Sequence, residues 1–253
     1  MSEAIRCDKL TIGYGTQVVQ SALTFSLDEG EMVCMLGPNG CGKSTLLRTV
    51  AGLQPPLAGM YEVQGLSSEK SSENSAERAK HLALVLTERL SLEHTTVHDV
   101  VAMGRYPYSS FLGGLSADDE EVIADALQQV GLQDMADTYF NNHSDGEKQR
   151  ILIAKALAQQ TPVILLDEPT AHLDLPNRIR TLQLLRHLAH EQGKTILIST
   201  HELDLALQLS DRILLMYDGG IQLDTPRALC DRDAFTAAFK MDIFHPLAEN
   251  PLS

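Results

Sequence analysis

The sequence predicts an α/β fold built on a buried parallel sheet, with an antiparallel β region ahead of it and a helical insertion within it. Apolar runs at 32–36, 82–86, 163–166, 195–198 and 213–217 lack the polar alternation of a half-exposed strand, and strands covered on both faces read this way. The first run passes directly into Gly37-Pro38-Asn39-Gly40-Cys41-Gly42-Lys43-Ser44-Thr45 and then Leu46-Leu47. A buried strand thus delivers the chain through a glycine-rich turn to a helix, the context that the pattern G-x-x-x-x-G-K-[ST] needs. Between about 95 and 138 the apolar period becomes helical, as at Val122, Ile123, Ala126, Leu127 and Val130. The 253 residues are read as a single domain, 1–253, with a helical subdomain at about 95–160 inserted in the core.

Composition narrows the partners. Apolar residues make up 43% of the chain, enough for a sizeable core. With 34 acidic against 20 basic residues the formal charge is −14, which opposes a surface that tracks a polyanion, so nucleic acid is not an expected partner. Cys7, Cys34, Cys41 and Cys230 show no C-x-x-C pairing or zinc spacing and read as reduced thiols. Met1-Ser2-Glu3-Ala4-Ile5-Arg6 has no basic end followed by an apolar core, so no secretory signal is expected. No apolar run approaches the ~18 residues of a membrane span. A membrane would be reached through a partner.

The elements follow in order. Residues 1 to 35 alternate with period two between glycine turns, which argues strands. Tyr14, between Gly13 and Gly15, could present its ring to a nucleotide base or sit as a turn tyrosine against the sheet. In the 37–45 loop, successive backbone N–H groups and the start of a helix at about Lys43 favour an anion. Lys43 would reach the β- and γ-phosphates, Ser44 offers its hydroxyl to Mg²⁺, and Gly40 and Gly42 let the backbone approach closely. That helix runs to about Ala51 and stops at Gly52 and Gln54-Pro55-Pro56. A strand and turn follow at Tyr61 to Gly65, then a polar, Ser- and Glu-rich stretch at 67–80 leading into a short helix.

After the run at 82–86, Thr96 heads a helix through Met103, and Ser116 with Asp119 reads as a capping box. Between them, Gly104-Arg105-Tyr106-Pro107-Tyr108-Ser109-Ser110-Phe111 is either a packed inter-helix loop or a docking surface. Asn142-His143-Ser144-Asp145-Gly146-Glu147 opens the helix Ile151 to Leu157, where Ser144 could be a cap or part of a second anion site. The strand at 163–168 ends in Asp167-Glu168, at the carboxyl edge where open α/β sheets put their chemistry. Buried carboxylates there are costly unless paired or metal-bound. A helix from Leu175 to Glu191 stops at Gly193, strands follow at 195–201 and 213–217, and a short helix is expected at about 232–240.

Taken together, Tyr14, the 37–45 loop, the segment His143 to Glu147, Asp167-Glu168, Asp174 and His201 resemble, in order and spacing, the motifs of ATP-binding-cassette ATPases, over nearly the whole chain. The resemblance implies a P-loop NTPase core with an N-terminal antiparallel β-subdomain and an inserted helical subdomain, and it implies ATP and Mg²⁺. It implies that Tyr14 stacks on adenine, that Asp167 assists Ser44 in holding Mg²⁺, that Glu168 polarises the attacking water, and that His201 contacts the γ-phosphate. Such proteins act as head-to-tail dimers, so Ser144 and Gly146 of one chain, with Asp174, would close on nucleotide held by the other. Phosphoryl transfer needs a charge cradle, a metal and an oriented water, and each has a candidate here.

Two stretches depart from the family pattern. The signature usually written L-S-G-G-Q reads His143-Ser144-Asp145-Gly146-Glu147, and the loop that normally ends Pro-Gln reads Thr87-Glu88. Glu88 is assigned to the glutamine position as a further metal-side oxygen, with Thr87 the alternative by one residue's slip, and altered metal or pH dependence is expected. Val100-Val101-Ala102-Met103-Gly104-Arg105-Tyr106-Pro107-Tyr108 and Ala171-His172-Leu173-Asp174-Leu175 resemble the importer ATPases for iron(III)-siderophore, haem and cobalamin. That resemblance implies a homodimer on the cytoplasmic face of the inner membrane, held there by integral-membrane permease subunits and served indirectly by a periplasmic or surface binding protein. Arg105, Tyr106, Pro107 and Tyr108 are the docking candidates. An exporter ATPase and a non-hydrolysing regulatory module are the alternatives. Neighbouring permease and binding-protein genes would separate the first from an importer, and turnover would separate the second.

Overall fold

The computed structural model describes residues 2–68, 75–86, 92–108 and 114–239. The chain begins with β1 (Glu3–Tyr14) and β2 (Gln17–Asp28), then β3 (Met32–Leu36) and α1 (Lys43–Val50). Next come β4 (Ala58–Val63), β5 (Leu66–Ser67), α2 (Ser75–Arg78) and β6 (Leu82–Val85). The helical stretch holds α3 (Val97–Ala102), a 3₁₀ segment (Met103–Tyr108), α4 (Ala117–Gln129) and α5 (Asp145–Ala158). The chain returns through β7 (Val163–Asp167), α6 (Leu175–Gln192), β8 (Thr195–Ser199), α7 (Leu203–Leu209), β9 (Arg212–Tyr217) and β10 (Gly220–Asp224), and ends in α8 (Pro226–Asp231) and α9 (Ala234–Phe239).

Among the described residues these strands form two sheets. One is antiparallel, in the order β2-β1-β4-β5; the other runs β10-β9-β3-β8-β7-β6, parallel from β9 to β6 with β10 antiparallel at the edge. Side chains alternate across a strand, and the two cores record this. Val33, Met35, Val163, Leu165, Leu197 and Leu214 face the antiparallel sheet and Leu46, Leu47 and Val50 of α1. Cys34, Leu36, Ile164, Leu166, Ile198 and Leu215 face the opposite side, among the helices. Residues of β3, β7 and β8 are buried without exception, which is why their sequences carry no polar alternation.

The helices are set by their caps. Ser116 and Asp119 make the expected capping box on α4, and Thr96 with Asp99 and Ser144 with Glu147 make two more on α3 and α5. Each serves orphan N–H groups of the first turn. Asp174 caps α6 by accepting from Asn177 N, Pro176 sits in its first turn, and Gly193 ends it at φ 66°. The helix expected at 232–240 is α9, which begins after Asp233 at φ 52°. The short helices α7 and α8 and the edge strand β10 carry no clear period and are not foreseen by the sequence reading.

Candidate functional site

The 37–45 loop leaves β3 and wraps the first turn of α1. Gly37 passes the end of β9 so closely that a Cβ there would lie 2.2 Å from the Met216 carbonyl oxygen. Gly42 caps α1 at φ 106°, and a Cβ on it would lie 2.8 Å from Val19 Cγ1. Only glycine fits either place. Lys43 is buried, and its Nζ donates to the carbonyls of Gly37 at 2.8 Å and Pro38 at 3.2 Å. The ammonium is therefore held inside the loop, where the start of α1 adds unpaired N–H groups. Tyr14 is half exposed, with its hydroxyl 3.2 Å from Thr45 Oγ1. Asn39 and Gly40 lie at the loop's exposed crest, while Cys41 is buried.

The carboxylates arrive from the next strand but one. Asp167, the last residue of β7, is buried and accepts from Ser44 Oγ at 3.0 Å and Ser199 Oγ at 2.6 Å. Ser44 Oγ and Asp167 Oδ1 thus form an oxygen pair suited to a hard cation such as Mg²⁺, which binds through one or two carboxylates, substrate phosphates and water. Glu168 turns into the left-handed region at φ 46°. Its N–H is shared between the Ser199 carbonyl at 3.1 Å and Ser199 Oγ at 2.9 Å. A non-glycine residue there carries strain of about 1 kcal/mol or more, a pattern that clusters at active sites. The Glu168 carboxylate meets His201, whose Nε2 lies 2.5 Å from Glu168 Oε1.

Ser144 and Gly146 lie elsewhere, at the start of α5. Ser144 Oγ donates to Glu147 Oε2 at 2.8 Å, and a Cβ on Gly146 would meet the Asn177 side chain at 3.3 Å. The first turns of α5 and α6 therefore pack together, which brings the Ser144–Gly146 segment near Asp174. The structure gathers Tyr14, Lys43, Ser44, Asp167, Glu168 and His201 around one loop and keeps Ser144, Gly146 and Asp174 as a second group. Thr87 and Glu88 lie outside the described residues, as do 109–111 of the docking loop.

The docking candidates divide. Tyr106 is 65% exposed and Tyr108 39%. Arg105, expected beside them at the surface, is instead 7% exposed. Its Nε donates to Asp119 Oδ1 at 2.7 Å, its Nη1 to the Ala158 carbonyl and to Gln160 Oε1, both at 2.8 Å, and its guanidinium stacks 4.2 Å over the Tyr108 ring. A buried guanidinium needs such a set of acceptors. Arg105 therefore supports the Tyr106–Tyr108 loop from below and is not on its surface. Gly104 explains the close seat: a Cβ there would lie 2.3 Å from the Lys155 carbonyl oxygen.

Several supporting residues escaped sequence reasoning. Ser199 ties Asp167 to Glu168, and its only signal is its place two residues before His201. Arg178 donates to the Leu173 carbonyl at 2.6 Å and to Glu202 Oε1 at 2.5 Å, joining the loops after β7 and β8. Gln20 is a buried amide on a strand face that otherwise reads apolar.

A phosphate loop between a parallel strand and a helix, with carboxylates at the end of the next strand but one, defines a P-loop nucleotide-binding ATPase. The match of residues 21–171 to the ABC transporter family places the chain in that family. It is an ABC-type ATP-binding protein that hydrolyses ATP. A probable siderophore transport system ATP-binding protein of Bacillus subtilis is 38% identical over 240 residues, 94% of this chain and 86% of its own. The ferric enterobactin transport ATP-binding protein of Escherichia coli is 36% identical over 217 residues, 86% of this chain and 79% of its own. Among solved structures, an inward-facing transporter described as of the metal-chelate type superposes with a TM-score of 0.83 at 30% identity, covering 94% of this chain and 90% of that one. A dimeric cassette bound to ADP and Pi superposes with a TM-score of 0.75 at 27% identity, over 88% of this chain and 99% of that one. Among the described residues no helix is long and apolar enough to cross a membrane.

Proposed function

We propose that this chain is the ATPase subunit of a binding-protein-dependent importer for an iron(III)-siderophore, with haem and cobalamin as the other cargoes of the same group. The likeness to the siderophore and ferric enterobactin transport proteins is the observation that carries this reading. Two copies would form a homodimer beneath integral-membrane permease subunits, on the cytoplasmic face, and a binding protein outside would deliver cargo to the permease. The exposed Tyr106 and Tyr108, with Pro107 between them, are the proposed contacts. Beside them a cleft of about 150 Å³, lined in part by Leu84, Leu86, Leu152, Lys155 and Gln159, opens at the end of β6. Burial pushes the Lys155 ammonium below its ordinary pKa.

In the mechanism we propose, Tyr14 stacks on the adenine, and the backbone N–H groups of residues 39–45 and Lys43 hold the phosphates. Ser44 and Asp167 would hold Mg²⁺, which neutralises phosphate charge when bound. Ser199 keeps Asp167 aimed by donating to it. Glu168 accepts a hydrogen bond from the attacking water and aligns it with the γ-phosphate, and His201 holds the Glu168 carboxylate in that orientation while offering a donor to the γ-phosphate. Ser144 and Gly146 of the second copy complete the site, so hydrolysis requires closure. Asp174, at the start of α6, would approach the nucleotide together with Ser144 and Gly146.

Uptake of radiolabelled iron(III)-siderophore, haem and cobalamin by cells carrying the operon, wild type against Glu168→Gln, tests the proposal. Siderophore uptake that collapses in the variant is the expected result. Wild-type uptake of none of the three, with ATPase activity intact in the purified protein, would overturn the importer reading and favour export.

A further inference from the structure

Gln20 sits on the buried face of β2, 5% exposed, on the side continued by Leu23, Phe25 and Leu27. Its Nε2 donates to two carbonyls at once, that of Cys41 in the phosphate loop at 3.0 Å and that of Tyr217 at the end of β9 at 2.9 Å. Its Cγ lies 3.5 Å from where a Cβ on Gly42 would stand. One amide therefore joins the antiparallel sheet, the loop and the edge of the parallel sheet.

A trans peptide is planar, with its C=O and N–H pointing in opposite directions. Holding the Cys41 carbonyl toward Gln20 therefore turns the Gly42 N–H away from β2. Among the described residues nothing accepts from that N–H. It belongs to the residue that caps α1, where an aligned donor and the helix dipole act together on an anion. We infer that Gln20 is a positioning residue for nucleotide binding, which sets the Gly42 N–H as a phosphate donor by fixing the peptide that precedes it. The inference rests on reading 37–45 as the phosphate-binding loop. Lost donation would leave the Cys41 peptide free to rotate, and the buried Cys41 carbonyl and part-buried Tyr217 carbonyl without this partner.

The test measures ADP affinity and ATP kinetics in Gln20→Leu, Gln20→Glu and Lys43→Ala. Gln20→Leu keeps the volume and removes both donations, and it should raise the Kd for ADP and the KM for ATP about tenfold with kcat largely kept. A residue that only filled space would leave the Kd unmoved. Gln20→Glu keeps the length but faces two carbonyls with a carboxylate. Its affinity relative to wild type should recover as pH falls, because a protonated carboxyl regains one donor. Wild-type ADP affinity in Gln20→Leu, or an affinity ratio for Gln20→Glu that is flat with pH, would overturn the inference. If Gln20→Leu fails to fold, the pH profile of Gln20→Glu decides alone. ADP binding that survives Lys43→Ala would overturn the loop reading together with the inference; loss there beside wild-type affinity in Gln20→Leu would overturn the inference by itself.

Discussion

Arg105→Ala should destabilise the protein, although the residue belongs to a loop whose aromatic neighbours are exposed. The side chain donates at 2.8 Å both to the Ala158 carbonyl, at the C-terminus of α5, and to Gln160 Oε1. Counting only these two bonds, each worth about 1.5 kcal/mol because the donor is charged, removal costs about 3 kcal/mol. The stacking on Tyr108 adds to this. For a domain of this size about 1 kcal/mol corresponds to roughly 2–4 °C, so a fall in Tm of about 6–12 °C is expected. Arg105→Lys should recover less than half of the loss, because a lysine cannot span two acceptors and the ring with one planar fork. Thermal unfolding followed by circular dichroism is the assay. An Arg105→Ala protein whose Tm lies within about 2 °C of wild type would refute the reasoning and return Arg105 to the surface.

The neighbouring substitution separates stability from coupling: Tyr106→Ala should abolish cargo uptake while changing stability by no more than about 0.5 kcal/mol and sparing ATPase activity in the isolated subunit. Loss of that ATPase activity would make Tyr106 structural. The Asp119 carboxyl is held at about 2 by the Ser116 backbone N–H and hydroxyl, and then by Arg105. A folded pKa below the unfolded value gives stability that is complete above about pH 4 and is lost as pH falls toward about 2. The Tm gap between wild type and Asp119→Asn should therefore narrow over that window, and a constant gap would contradict the assignment. Burial raises the Cys7 thiol and pushes Cys34 up to about 12, so iodoacetamide at neutral pH should modify both only after unfolding, as peptide mass mapping would show.

How far the sequence discloses this structure depends on how far apart the interacting residues lie. The 37–45 loop and the strand ending in Asp167-Glu168 are legible because each is a local pattern, a glycine spacing or an unbroken apolar run, set by the chain's own geometry. The Ser116 box is legible for the same reason. Arg105 is misplaced by such reading because its acceptors are remote: Asp119 caps a different helix, Ala158 ends α5 and Gln160 lies just beyond it. In a run with Tyr106, Pro107 and Tyr108 an arginine looks like a surface group, and only tertiary packing reveals the buried seat. Gln20 fails differently. A single polar residue on an apolar strand face reads as an interruption until the two carbonyls opposite it are known. Ser199 is hidden inside a strand, and its role depends on β7 and β8 being neighbours. The signature segment is only half legible. Its cap is visible in Ser144 and Glu147, but the proposed approach of Ser144 and Gly146 to nucleotide on a second chain leaves no local pattern to read.

In the proposed mechanism Glu168, turned out of β7 and held by His201, aligns the water that attacks ATP. ATPase turnover and ATP binding of purified Glu168→Gln test it most directly. Turnover should fall by at least about a hundredfold, with ATP affinity retained and a dimer that persists on size exclusion in ATP, because shape is kept while the water is no longer polarised. Turnover at the wild-type rate would contradict it and move the water-aligning role to another residue.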